Sequence, residues 1–314
     1  MRLAELERLA ARHVPGKGVL EIQGPERGLV NETYRVLRDG AAYAVRVAAA
    51  NPHHLGVDRG WEARVLTRAA AADLAPSLLY CDPGRAILIS SWVDGRAWSA
   101  SDVRQAGNLS RIADLLHRIH ALECPQPVRV VTPGGWIDFY AAGAPVRAAG
   151  TLRQAADRQL ALLEALPRVA PVLCHSDLHT QNLIDRGGSL LLLDWEYAHA
   201  ADPFWDLAGW SANNDFGEEL TLELLRVYLG RTPAAHEFAR LHLLVWLYDF
   251  VCLLWSECYL NLPVEPRGGA AEGADPRADV SARAVRLEAR LNAGVVESDK
   301  FRHTGDGKLR RRET

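Results

Sequence analysis

At 314 residues, 48% apolar and 24% charged, the chain is long enough for one large or two moderate domains of ordinary globular composition. A formal net charge of −3 gives no global attraction to nucleic acid or to an anionic membrane, so neither is expected as a partner. The cysteines at 81, 124, 174, 252 and 258 form no C-x-x-C pair; their odd count points to reduced thiols in a cytoplasmic protein, although a secreted chain with one spare thiol has the same count.

In chain order, Met1 to Val14 carries charges throughout and reads as an amphipathic helix, not as a signal peptide. Val19 to Ile22 and Glu32 to Leu37 read as strands joined by Gly24 to Asn31, and Tyr43 to Val47 follows as a third strand after a turn at Asp39-Gly40. A helix from Trp61 to Ala72 comes next, and Leu74 to Tyr80 and Ala86 to Trp92 complete five strands. Two charged residues stand out here, Arg46 on the third strand and Glu62 on the helix. Each also has a plain reading, as an exposed strand arginine and a solvated helix face.

Asn108 to Leu122 places Leu109, Ile112, Leu115, Leu116, Ile119 and Leu122 at helical spacing with one dry face. His117 and His120 lie three apart on it and read as packing or surface residues, because no carboxylate or third ligand is near them in the sequence. Pro125 to Gly135 is a loop, Trp136 to Tyr140 begins a helical stretch, and Leu152 to Leu166 is an amphipathic helix ending before Pro167.

The stretch from Cys174 to Asp194, CHSDLHTQNLIDRGGSLLLLD, carries the chemistry. Asp177 follows His175 by two positions and precedes Asn182 by five, and Asp194 closes the apolar run Leu190 to Leu193, short enough for a buried strand. In phosphoryl transfer a protein mostly positions groups and neutralises charge. One carboxylate meets the acceptor hydroxyl, while oxygen ligands from two other positions hold Mg²⁺ on the nucleotide phosphates. A polar surface turn followed by a core strand is the plainer alternative, but it leaves the order of four polar residues without a reason.

Protein kinases meet the same demand with H-R-D-L-x-x-x-N and a later D-F-G. Here the letters are His175-Ser176-Asp177-Leu178, then Asn182, then Asp194-Trp195-Glu196, with Ser in place of Arg and Trp-Glu in place of Phe-Gly. The stretch resembles the small-molecule branch of that fold: choline/ethanolamine kinases and, more broadly, aminoglycoside phosphotransferases and bacterial thiamine kinases. Its continuation, LLDWEYAHAADPFWDLA, looks most like the choline kinase group. The resemblance extends from Gly24 to Tyr259 and is strongest from His175 to Ala208.

That resemblance implies a two-lobed, protein-kinase-like α+β fold. A small N-terminal lobe with an antiparallel sheet would span residues 1–91 and a larger, mainly helical lobe 92–294; residues 295–314, polar and ending in a short basic run, read by composition as a disordered tail. The resemblance also implies roles. Asp177 is the catalytic carboxylate, and Asn182 and Asp194 are the Mg²⁺ ligands. Gly28 and Asn31 belong to a nucleotide-covering segment, Gly28 to Val36. Arg46 replaces the usual phosphate-binding lysine, as is common in the choline kinase group, and Glu62 fixes it. Trp92 lies in the crossover Ser91 to Gly95, whose backbone is expected to meet the adenine. His175 and Asp206 support the loop, Asp206 by accepting hydrogen bonds from its backbone. Asp202, before Pro203, starts a turn or caps the next helix. Glu196 has three open readings, as a contact to metal, to substrate or to solvent, and His179 and Gln181 read as loop surface.

The longest apolar stretch, Leu241 to Trp255, has Asp249 in its middle and reads as a buried helix too short to span a bilayer, so no membrane insertion is expected. Trp246, Asp249 and Trp255 on it have two readings. Tryptophan faces with a nearby carboxylate suit a cationic amine, and aromatic residues also fill cores. Leu262 to Asp279 reads as an exposed loop, and Asp279 to Leu291 as a helix packing through Val280, Val285, Leu287 and Leu291. The expected protein is a small-molecule kinase that moves the γ-phosphate of ATP, with Mg²⁺, to a hydroxyl of choline or a similar cationic amino alcohol. Thiamine, aminoglycosides and amino sugars are alternative acceptors, and a non-catalytic nucleotide-binding module is the alternative of another class.

Overall fold

The computed structural model describes residues 3–48, 52–143, 151–263 and 276–300. Its first part is α1 (Leu3–His13), β1 (Glu21–Arg27), β2 (Asn31–Arg38), β3 (Ala41–Ala48), α2 (Arg59–Ala71), β4 (Leu78–Asp82) and β5 (Ile87–Ser91). The rest is mainly helical: α3 (Ala106–His120), α4 (Pro133–Gly143), α5 (Thr151–Glu164), α6 (Phe204–Asn213), α7 (Glu218–Leu229), α8 (Ala235–Asn261) and α9 (Pro276–Lys300). Four short strands interrupt it, β6 (Val172–Cys174), β7 (Leu183–Asp185), β8 (Leu190–Leu192) and β9 (His199–Ala201). An antiparallel sheet followed by a mostly helical region is the α+β class that the sequence implies. Two compact units emerge, Met1–Val131 with Val169–Ala234, and Thr132–Arg168 with Ala235–Thr314. The lobe boundary expected after residue 91 falls at the end of β5, whereas the compact units first divide at Val131.

In the first unit the five-stranded sheet has the order β1-β2-β3-β5-β4. Strand side chains alternate between faces, so Tyr34 and Val36, Val45 and Val47, and Ile87 and Ile89 share one side. Leu6, Leu9 and Ala10, one stripe of α1, close over them. Between β2 and β3, Asp39 and Gly40 both have positive φ, 51° and 78°, which a two-residue turn of the primed type requires. The first strand runs further than the sequence indicates. Gly24-Pro25 is absorbed as a bulge between Gln23 and Glu26, where the proline needs no ladder N–H, and the connection to β2 shrinks to residues 28–30. The second helix starts at Arg59, two residues before the expected Trp61, because the Asp58 carboxylate caps it by accepting from the Trp61 N–H at 2.9 Å.

Beyond the sheet, β6 pairs with β9 and β7 with β8. The loop from His175 to Asn182 joins the two pairs, and Asp194 follows β8. The Leu193 N–H donates to the Asn182 carbonyl at 2.8 Å, so the end of the loop and the segment carrying Asp194 are stitched together. The crossover chain presses on the same hairpin. Arg96 and Asp185 exchange backbone hydrogen bonds of 2.9 and 2.8 Å, and a Cβ on Gly95 would run into the Ile184 side chain and lie 2.8 Å from the Asp185 carbonyl oxygen. The Asp185 carboxylate accepts both terminal nitrogens of Arg111 at 2.7 Å, the Trp98 indole N–H at 2.8 Å and the Gly187 N–H at 2.8 Å. Arg111 above all holds that carboxyl well below the usual range.

In the second unit α8 packs against α4, α5 and α9. Here the sequence expectation needs correction, because the apolar stretch sits in a 27-residue helix that is long and apolar enough to cross a membrane by length and composition. Its surroundings make it a core helix: 61% of its most apolar window is buried, and Asp249 at mid-helix pairs with Arg290 of α9 at 2.5 Å. On α9, Val280, Leu287 and Leu291 are buried as expected, but Val285 is 65% exposed. The expected loop falls largely on residues 264–275, outside the described residues. Of the expected tail, 295–300 continue α9, and 301–314 lie outside the described residues.

Candidate active site

The loop that carries Asp177 is fixed mainly by uncharged donors. Asp206, in the first turn of α6, accepts the backbone N–H groups of His175 at 2.9 Å and Ser176 at 2.7 Å, as the sequence anticipates. It also accepts the His120 Nε2–H at 3.1 Å, while His120 Nδ1 takes the Tyr228 hydroxyl at 2.9 Å. Burial would raise the Asp206 carboxyl, but His120, His175 and the Ser176 N–H outweigh it and keep it below its ordinary value. His175 is buried and spans the loop: Nε2–H donates to the Leu193 carbonyl at 2.9 Å, and Nδ1 accepts the Asp177 N–H at 3.3 Å. Those two bonds define its neutral tautomer, and burial lowers its pKa.

Ser176, where protein kinases have arginine, has a φ of 68°, and its hydroxyl lies 3.1 Å from Nδ1 of His199 on β9. Burial pushes His199 down to about 4, so it stays neutral at physiological pH. His117, by contrast, stacks on Tyr228 at 4.4 Å and donates to its carbonyl, as a packing residue does. His120, Cys174 and Asp206 bring possible metal-ligand atoms within 4.8 Å of one another. Both nitrogens of His120 and both oxygens of Asp206 already have protein partners, and burial pushes the Cys174 thiol up, so the trio serves the brace.

A second cluster is built from charges. Arg46 reaches Glu62 with one terminal nitrogen and Asp194 with the other, the latter at 2.5 Å. The other Glu62 oxygen takes Arg59 at 2.8 Å, and Arg59 continues to Glu196 at 2.7 Å and to the Asn31 amide oxygen at 2.6 Å. Asn31 closes the ring by donating to Glu196 at 2.9 Å. Burial would raise Glu62, yet the two arginines outweigh it and hold it low. For Arg46, burial opposes the charge, but Glu62, Asp194 and Glu196 together raise its pKa. Asp194, with a φ of 55°, sits above the usual carboxylate range because desolvation exceeds the help from Arg46. Glu196 is pushed up to about 7 by burial and then by Asp194, against Arg59 and Arg46.

Once Glu196 ionises, above about pH 7, two arginines face three carboxylates, one negative charge in excess, and Asp177 adds another nearby. The Asn182 amide group donates to the Asp177 carbonyl at 3.0 Å and to its carboxylate at 3.1 Å, which leaves the Asn182 oxygen as an uncharged ligand. Hard oxygen donors with surplus negative charge suit Mg²⁺, so the residues present fit the expected metal.

Of the residues singled out from sequence, Asn31, Arg46, Glu62, Asp177, Asn182, Asp194, Glu196, His175 and Asp206 lie in these two linked clusters. Gly28 makes the tight turn before β2, its N–H donating to the Asn31 carbonyl at 2.8 Å. The Trp92 N–H donates to the Ala42 carbonyl at 3.0 Å, and its ring lies under the Arg35 guanidinium. Glu196 is 3% exposed, which removes the solvent reading. His179 comes within 3.5 Å of the Asp177 carboxylate, closer than loop surface implies, while Gln181 is exposed. In the second unit Trp246 is buried against Phe250 and Asp249 is paired with Arg290, which matches the core-filling alternative; Trp255 is half-buried and stacks on Tyr259 at 5.3 Å. Sequence reasoning missed Arg59, His199 and the bracing role of His120.

The model of the phosphotransferase enzyme family matches residues 21–244. Among solved structures, a choline/ethanolamine kinase family protein from Mesorhizobium loti is 23% identical with a TM-score of 0.70, covering 94% of this chain and 98% of that one. Choline kinase LicA from Streptococcus pneumoniae is 20% identical with a TM-score of 0.67, covering 91% and 98%. Macrolide 2'-phosphotransferase MphH from Brachybacterium faecium is 18% identical with a TM-score of 0.61, covering 92% and 98%. At such identities the likeness is one of fold. No curated protein sequence matches the chain. With its kinase-like fold and a family match that spans most of its length, the chain belongs to the phosphotransferase enzyme family.

Proposed function

We propose that this phosphotransferase moves the γ-phosphate of ATP, with Mg²⁺, to a hydroxyl of a small cationic amino alcohol, choline being the first candidate. The observation that carries the reading is the linkage of Asp177, Asn182 and Asp194 to the Arg46–Glu62 pair within one compact unit. In this reading Asp177, its side chain 29% exposed, orients the acceptor hydroxyl and takes its proton. Asn182 and Asp194 would hold Mg²⁺, which would supply positive charge against the phosphoryl group being transferred. Arg46, its guanidinium oriented by Glu62, offers a fixed fork of donors to phosphate oxygens. Gly28 and Asn31 shape the turn over the nucleotide. With the Trp92 N–H spent on Ala42, its carbonyl and the backbone after it remain for the adenine.

An amine acceptor draws support from the names of the similar structures, a choline/ethanolamine kinase family protein and a choline kinase, and LicA has also been solved with AMP. Within the second unit Trp246 and Asp249 hold α8 to its neighbours, Trp246 through the Leu291 carbonyl and Asp249 through Arg290. Five free thiols suit the reducing cytoplasm, where ATP is available. A second reading, phosphorylation of an antibiotic hydroxyl, has the likeness to a macrolide phosphotransferase behind it.

The test is ADP release by the purified chain with MgATP and a panel of choline, ethanolamine, thiamine, an aminoglycoside, an amino sugar and a macrolide. Choline is expected to give the highest kcat/KM. Asp177→Asn should lower turnover about a thousandfold or more while MgATP affinity changes by less than about threefold. Activity on an antibiotic or sugar with none on choline replaces the acceptor. Tight MgATP binding with no ADP from any acceptor replaces catalysis by a nucleotide-binding role.

A further inference from the structure

Arg59 belongs to none of the motifs above, yet its one guanidinium touches three segments. Asn31 opens β2 directly after the turn at residues 28–30, Glu62 lies one helical turn along α2, and Glu196 stands two residues after Asp194. The side chain is 3% exposed, so its charge serves no contact with solvent. Its Nε is buried with no hydrogen-bond partner among the described residues, which shows that the orientation is chosen for the three acceptors and not for full satisfaction of its own donors. A helix-surface ion pair with Glu62 would need neither burial nor the reach to Asn31. Lysine has no planar fork with which to serve acceptors on three segments.

We infer that Arg59 is a positioning residue that ties the turn before β2 to the segment following Asp194, so one side chain sets the two flanks of the site. Calling those flanks the nucleotide and metal sides rests on the proposed function; the tie between them does not. Asn31 is held at both ends of its amide, the oxygen by Arg59 and the nitrogen on Glu196. Loss of the fork therefore frees the turn and the segment together.

The experiment compares the parent chain with Arg59→Lys and Asn31→Ala. The second variant removes one arm of the tie without stranding a buried charge. Amide hydrogen exchange is measured first, with no nucleotide added. Both variants should speed exchange about tenfold or more in residues 28–33 and 195–198, and leave the α1-covered strands β2, β3 and β5 beyond residue 33 unchanged. MgATP affinity, read by calorimetry, should weaken about tenfold in each. The double variant should be little weaker than either single one, the signature of residues acting through one contact. Acceptor KM should stay within about twofold.

Unchanged exchange in both segments overturns the inference. So does a uniform rise across the unit with parent-like MgATP affinity, which is what an ordinary buried ion pair would give. If the two segments loosen as expected but the parent binds no nucleotide, the tie stands and the kinase reading falls.

Discussion

The two clusters of the first unit hold their parts by different physics. Around Asp206 one carboxylate accepts two backbone N–H groups and one imidazole, and the histidines beyond it, His175 and His199, are kept neutral by burial. Around Glu62 the partners are two arginines and the carboxyls of Asp194 and Glu196, both raised by burial, so the charge of the cluster changes with pH. The first arrangement is a frame whose geometry is set by backbone hydrogen bonds and does not answer to ions. The second is a balance, whose geometry and affinity follow from which charges are present. Asp177 stands where they meet, its N–H bonded to His175 on the frame side and its carboxylate to Asn182 on the other.

Breaking the frame should have the largest effect. Asp206→Ala strands the His175 and Ser176 N–H groups and His120, so stability should fall by about 3–5 kcal/mol and turnover by roughly a hundredfold. Thermal melting and ADP release read both, and a parent-like melting temperature would show that the frame is held elsewhere. Disturbing the balance should be milder for folding. Glu62→Gln keeps an amide oxygen as acceptor but removes the charge that two buried arginines share, so stability should fall by about 1–3 kcal/mol while MgATP affinity drops about tenfold, both read by melting and calorimetry.

Smallest is the pH response, where the clusters should differ in sign. His199 has its folded pKa depressed to about 4. Its contribution is therefore complete above the unfolded value near 6.5 and is lost as pH falls through 4, amounting to about 1 kcal/mol by pH 5.5. Glu196, raised to about 7, contributes in the opposite sense, fully present below its unfolded value and lost as pH rises through 7. Melting temperatures from pH 5 to 8 should show an acid-side loss that His199→Gln flattens.

Much of this was legible before any coordinates. The first five strands, α3 and α5 follow from periodicity, and Asp194 closes an apolar run read as a strand; β6, β7 and β9, three residues each, are too short to show a period, and α7 was missed. Partners across large sequence separations were less visible. Arg59 sits in the first turn of α2, where a charge reads as solvated surface. The available hint was its i,i+3 spacing from Glu62 on a helix whose Trp61, Val65 and Leu66 are buried. The acid that meets His120 lies 86 residues on, and Asp249 finds Arg290 41 residues on, so no local pattern announces either. Gly24 to Asn31 reads as a connection, but its Pro25 sits in β1 because a bulge between Gln23 and Glu26 spares it a ladder N–H.

At Gly95 the chain leaving the sheet touches the β7–β8 hairpin with no thickness left for a side chain. Even a methyl group there would act as a wedge, prising apart the reciprocal backbone bonds of Arg96 and Asp185. The passage from sheet to helices is thus riveted to the hairpin bearing Asn182 and Asp194 at its ends, and any tilt of that passage must carry those two residues with it.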